Sequence, residues 1–297
     1  MTIESWPAHH AQLGPLTIRR ALPVRQRRMV GPWCFLDRYG PLTFQAGKPM
    51  DVAPHPHMGL QTVSWLLDGE VLHRDSLGFE SLIVAGELNV MTSGRAIAHS
   101  EETPGRSSGV LNGVQLWVAL PDAVRNSDPA FNHYHDLPVI ESRDGSATVI
   151  MGALEGVHSP ALSFSPMIGA QLSIVRGGEL WLDLNRRFEH ALFVLDGSAT
   201  LEGEQLSPDI LYYLAPDRAE LSLSSPDNAR ILLLGGTPFE ERILMWWNFV
   251  ARTHDEIERA RSEWQTGTRF GEVKGYAGAR IDAPALTGRA APPNPAS

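Results

Sequence analysis

Pro54-His-Pro-His-Met-Gly59 and, further along, Met91-Thr-Ser-Gly-Arg-Ala-Ile-Ala-His-Ser-Glu101 decide how this chain is read. Alternate side chains of an extended strand point to one face. His55 with His57, and His99 with Glu101, therefore each offer two donors in one direction. Two such strands, neighbouring or facing, would bring three imidazoles and one carboxylate to a single point, a donor set suited to a first-row divalent ion. Six-coordinate geometry would leave two positions open, and no Cys lies nearby to make a closed structural zinc site.

The sequence between the two pairs reads as strands throughout. Thr62-Val-Ser-Trp-Leu-Leu67 is β-branched and apolar, and Asp68-Gly69 is a turn dipeptide favoured between antiparallel strands. Asp75-Ser-Leu-Gly78 is a second turn cluster, and Ser81 to Gly86 and Leu88 to Gly94 repeat the pattern. Short strands broken by turns every 8 to 12 residues or so indicate a sandwich or jelly roll rather than βαβ units. Gly59, Gly69, Gly86 and Gly94 mark the expected corners.

Four motifs in this order, Val30-Gly-Pro-Trp-Cys-Phe-Leu-Asp-Arg-Tyr-Gly-Pro41, Pro54 to Gly59, Leu72-His-Arg-Asp-Ser-Leu-Gly78 and Met91 to Glu101, resemble the pirin family of the cupin superfamily, as does the late Trp246-Trp-Asn-Phe-Val250. The resemblance covers about residues 15 to 265. It implies an all-β fold of two tandem cupin barrels of jelly-roll type, with one iron in the N-terminal barrel only. Carried over position by position, the implied ligands are His55, His57, His99 and Glu101, the four that spacing also selects. Where wider cupins place a ligating Glu shortly after the HxH, this chain has Gln61, a poor ligand, so Glu101 must supply the carboxylate. Met58 stands where a basic residue is common in pirins and is expected to alter the mouth of the site.

The implied cofactor is one divalent ion, Fe(II), although affinity order alone favours copper and zinc, and Ni, Mn or Co are also compatible with such donors. The implied activity is a dioxygenase of the quercetin 2,3-dioxygenase type that opens a flavonol ring with O2. In it Glu101 doubles as ligand and, once detached, as general base. The family implies a rival reading as well: an iron-dependent regulatory protein that binds a transcription factor or a metabolic enzyme.

The other histidines read as structural. His73, His158 and His190 are expected to be hydrogen-bonded core residues. His133-Tyr-His135, a second HxH in a polar, Pro-bearing stretch, reads as a solvated interdomain segment, with a second metal site as the less favoured alternative, and His9-His10 as a disordered terminus. Gln115 and Trp117 share one strand face and should line core and cavity. Arg19, Arg20, Arg25, Arg27 and Arg28 form a local basic cluster, read as a solvated edge strand and loop, with a binding patch as the alternative.

The first domain is placed at residues 1–145, and residues 146–267 repeat its strand-and-turn grammar, including a second Leu-Asp-Gly at Leu195. The counterpart of the HxH there is Phe188-Glu-His190, and no His-x-Glu follows, so this barrel is expected to be metal-free. A C-terminal helix is expected where Thr253 and Glu256 have capping-box spacing and Ile257, Ala260 and Trp264 form one stripe. Residues 268–297, rich in Gly, Ala and Pro, read as a flexible tail.

At 297 residues and 43% apolar content the chain can build two cores. A net charge of −9 argues against general nucleic-acid binding. No apolar run approaches the roughly 20 residues of a membrane span, and the N-terminus lacks a signal pattern. The single Cys34 cannot form an intramolecular disulfide. These features give the cytoplasm as the expected location.

Overall fold

The computed structural model describes residues 3–13, 16–45, 49–105 and 109–288. The fold is all-β with one helix, and its sheets are jelly-roll-like rather than closed barrels. Two compact units are interleaved along the chain: residues 1–9, 19–36 and 136–239 form one, and 10–18, 37–135 and 240–297 the other. A serial reading of the sequence does not see this exchange, because pairing such as Ile3↔Leu214 leaves no local signature.

In the unit built around residues 136–239, strands obey period-two burial. Glu179–Asp183 alternates exposed and buried positions, with Leu180 and Leu182 inward and Trp181 outward. The inward set, including Leu172, Leu192, Val194, Leu221, Leu223, Ile231 and Leu233, forms the core.

The unit around residues 37–135 has two layers. In one sheet Leu60–Asp68 lies between Leu88–Thr92 and Val110–Ala119. The second has the order Asp51–His57, Ile97–Glu102, Glu70–Asp75, Glu80–Val84. Asp68-Gly69 is a turn, with Gly69 at φ +88°, but it is not a hairpin: the strands on either side belong to different sheets. The chain there crosses from one layer to the other. Asp75 to Gly78, by contrast, does close a hairpin, with Arg74 opposite Glu80.

Asp51–His57 is an edge strand, which is why its prolines are tolerated; proline has no ladder donor to offer. Its outer side is covered by residues from the C-terminal part of the chain. Ile281 N–H donates to the Pro54 carbonyl at 2.8 Å, and Val250 N–H to the Met58 carbonyl at 3.0 Å. Covering an edge in this way removes a template for aggregation.

The helix is His254–Thr266. Thr253 caps it by accepting from Glu256 N–H, Gly267 at φ +73° ends it in the left-handed conformation, and Ile257, Ala260 and Trp264 are its buried face, as the sequence indicates. The reading of the following segment as a flexible tail is corrected for residues 268–288. Phe270 and Ala283 join Trp264, Phe249 and Met58 in one apolar cluster, and Trp264 Nε1–H donates to the Ile281 carbonyl. Residues 289–297 lie outside the described residues.

Three smaller readings change as well. His9 and His10 open the strand His9–Leu13 instead of being disordered. His158 is exposed, not a core residue. The basic cluster is not simply solvated: Arg19 pairs with Asp209, Arg20 lies over the Phe35 ring, and Arg27 sits 3.7 Å from the centre of the Tyr213 ring beside Glu189.

Candidate metal centre

The strands Asp51–His57 and Ile97–Glu102 run antiparallel, with His99 opposite His55 and Ile97 opposite His57. A bulge between the His99 and Glu101 positions inserts one extra residue on the proline-bearing strand, so that Glu101 faces Val52. Gly59, at φ +74°, bends the chain away immediately after the HxH, and its amide donates to the Gly94 carbonyl at 2.9 Å.

His55, His57 and His99 are all buried, and one ring nitrogen from each lies within 4.8 Å of the other two. The ring centres are 4.4 to 5.0 Å apart. Three imidazoles in such a space cannot all be charged. Burial depresses the His55 pKa to about 4 and holds His57 and His99 well below the ordinary histidine value, with mutual repulsion adding to the effect. Neutral rings present lone pairs, the form in which histidine binds metals.

Hydrogen bonding leaves those lone pairs without protein partners. His55 Nδ1–H donates to the Ala53 carbonyl at 2.9 Å, which leaves Nε2 as the ring's acceptor. His57 Nδ1 and His99 Nε2 are buried and make no hydrogen bond. Buried acceptors without partners are costly. A cation among the three rings removes that cost, so the residues present fit a bound metal ion.

Behind His99 stands a relay that sequence reading did not find. Asp75, fully buried, accepts Leu77 and Phe79 amides on Oδ1 and faces His73 Nε2 across 3.2 Å on Oδ2. His73 Nδ1 in turn lies 3.3 Å from His99 Nδ1. His73 is the buried, hydrogen-bonded residue the sequence implied, but its partner is a candidate ligand. The signal was His73-x-Asp75, an i, i+2 pair on the adjacent strand, where Glu101 lies opposite His73 and His99 opposite Asp75. Phe131 stacks flat on His73 at 4.3 Å, fixing the ring plane.

Glu101 is buried beside the trio but is not one of its clustered donors. Burial pushes its pKa up to about 7, partly offset by the Ser64 hydroxyl, 3.5 Å from Oε1. Ser64 donates at 2.8 Å to Gln115 Oε1 on the paired strand, so a polar chain leads from the carboxyl to a half-buried amide. Trp117, on the same strand face as Gln115, meets His57 edge-on at 5.3 Å. Gln61 is buried, and its amide donates to Thr92 Oγ1. Met58, expected at the mouth of the site, instead packs with Ala98, Phe249 and Trp264 in the apolar cluster.

In the other unit, Glu189 accepts from the Gly31 amide and the Tyr213 hydroxyl and so serves the structure. Among the described residues, that unit holds no cluster of three metal-binding side chains.

The Pirin family model matches residues 16–118 and the Pirin C-terminal cupin domain matches residues 169–271. A Pseudomonas aeruginosa protein named "Putative quercetin 2,3-dioxygenase" is 44% identical over 92% of this chain and 87% of its own length. A pirin-like protein of Caulobacter vibrioides is 36% identical over 88% of this chain and 92% of its own. The crystal structure of a quercetin 2,3-dioxygenase from Acinetobacter baumannii superposes with a TM-score of 0.95 at 42% identity, covering 98% of both chains. With two matched cupin domains and relatives this similar along nearly its whole length, the chain belongs to the pirin family.

Proposed function

We propose that this protein is a metal-dependent dioxygenase of the quercetin 2,3-dioxygenase type, its ion, Fe(II), held by His55, His57, His99 and Glu101. The observation that carries the reading is the set of three buried neutral imidazoles within 4.8 Å beside a buried carboxyl whose pKa is near 7. The names of the similar Pseudomonas and Acinetobacter proteins support the substrate class, a flavonol.

When bound, the ion supplies Lewis acidity that stabilises negative charge developing on the substrate's hydroxyl and carbonyl oxygens. The chain's own residues do the rest. Glu101, once detached from the ion, accepts the proton of the flavonol hydroxyl, its basicity raised by burial. The Ser64 hydroxyl, set between Glu101 Oε1 and Gln115 Oε1, can donate to the carboxylate and orient it. Trp117 offers an aromatic wall beside His57 and keeps water from that side of the site.

The regulatory alternative drew on the Arg19 to Arg28 cluster as its docking patch. Arg19, Arg20 and Arg27 are engaged by Asp209, Phe35, Tyr213 and Glu189, which favours the enzymatic reading. The test is incubation of Fe(II)-loaded protein with quercetin under air and under nitrogen, following flavonol absorbance and carbon monoxide. Consumption with carbon monoxide release only under air is expected. Absence of oxygen-dependent turnover with any first-row metal would overturn the proposal in favour of the regulatory reading.

A further inference from the structure

The second HxH begins on a paired strand instead of a free interdomain segment, although His135 is exposed. His133 lies on the strand Ala130–Tyr134, opposite Asn89 on Leu88–Thr92, and Tyr134 lies opposite Leu88. Continuing that register sets His135 across from Glu87. His133 and His135 share a face as an i, i+2 pair, and Glu87 shares it with Asn89. Sheet register, not a chance rotamer, therefore brings two imidazoles and a carboxylate together.

The contacts are close and bidentate. His133 Nε2 is 2.8 Å from Glu87 Oε2, His135 Nδ1 is 2.8 Å from Oε1, and the ring centres are 4.3 Å apart. Donors at neighbouring positions around a zinc ion, each about 2.0 to 2.1 Å from it, stand about 3.0 to 3.4 Å apart. One donor atom from each of the three groups lies within 4.8 Å of the other two, close enough for a modest side-chain shift to gather them on one ion. On the far side of His133, Ser81 Oγ lies 2.8 Å from Nδ1. A hydroxyl can donate or accept, so Ser81 supports the tautomer that frees Nε2 and orients the ring, the usual role of a partner behind a metal ligand.

We propose that Glu87, His133 and His135 form a second divalent-cation site, one that takes zinc and leaves a coordination position open to solvent. The site is separate from the His55, His57 and His99 trio and does not depend on the proposed dioxygenase activity. His135 is 68% exposed, so an ion reaches the site directly from solution. Two imidazoles and one carboxylate, with the fourth position open, are a donor set that zinc accepts.

The test is zinc stoichiometry of the chelator-stripped full-length protein by equilibrium dialysis and elemental analysis, with Co(II) absorption as a geometric readout. Wild type is expected to bind two ions, and His133→Ala/His135→Ala one, while His57→Ala loses the other. Glu87→Gln, which removes a charged ligand, should weaken the second site by more than about tenfold, at least the loss seen when only a partner behind a ligand is removed. His135→Ala, which removes an exposed ring, guards against misfolding of the double variant and should also bind one ion tightly. A stoichiometry that His133→Ala/His135→Ala leaves unchanged, or no loss of zinc affinity in His135→Ala, would overturn the proposal.

Discussion

Nδ1 of His73 faces Nδ1 of His99 across 3.3 Å, and the other nitrogen of His73 faces the Asp75 carboxylate. The carboxylate can only accept, so it draws the His73 proton to Nε2 and leaves Nδ1 as an acceptor. His99 must then donate from Nδ1, and its buried, partnerless Nε2 carries the lone pair. Asp75 thus sets the tautomer of a candidate ligand two residues removed.

Asp75→Asn should therefore weaken metal binding by about ten- to a hundredfold, the range for partners behind a ligand. The amide oxygen can still accept the Leu77 and Phe79 amides, but its NH2 group would turn the His73 proton toward His99 and reverse the relay. Thermal stability should change far less than affinity. An unchanged metal Kd in Asp75→Asn contradicts the relay.

Burial acts with opposite sign on the two kinds of donor, and pH separates them. The three histidines are already neutral at pH 6 and release nothing when an ion binds. Glu101, with a pKa of about 7, is mostly protonated at pH 6 and must lose its proton to serve as a ligand. Affinity should fall about tenfold per pH unit below 7 and level off above it. Calorimetry in buffers of different ionisation enthalpy, in a His133→Ala/His135→Ala background to silence the surface site, should count close to one proton released at pH 6 and close to none at pH 8. Glu101→Gln should release none at either pH; release from that variant would assign the proton to another group.

Gly59 is the hinge between the ligand strand and the core. Its φ is +74°, and a Cβ there would lie 2.1 Å from the Val250 carbonyl oxygen. Gly59→Ala should cost about 1 to 3 kcal/mol or more, the scale of backbone strain in this region, and displace His57 enough to weaken metal binding. Denaturant unfolding that shows no loss of stability would mean the backbone can relax there.

Much of this was written locally in the sequence. The i, i+2 spacing of His55 and His57, the Thr253 cap and the Ile257, Ala260, Trp264 stripe are short-range patterns, and each appears in the fold. What escaped depends on distant pairing. His73 and Asp75 matter because their strand lies beside the one bearing His99, and Glu87 meets His133 and His135 only through sheet register. Phe270 and Ala283 sit in a Gly- and Pro-rich stretch whose composition says tail, yet they complete the cluster around Trp264. Composition reports backbone freedom in the unfolded chain, not the apolar surface waiting to be covered.

In the proposed centre, three neutral imidazoles hold the ion and a carboxyl also moves a proton. Glu101→Gln, loaded with Fe(II) and shown by elemental analysis to carry it, tests that proton-moving role most directly when its kcat with quercetin is set beside that of the wild type. The amide keeps the size of the side chain but cannot accept the proton. Metal should be retained at reduced affinity, and kcat should fall by about a hundredfold or more, the low end of general-base contributions. A metal-loaded variant that oxidises quercetin at the wild-type rate would contradict that role.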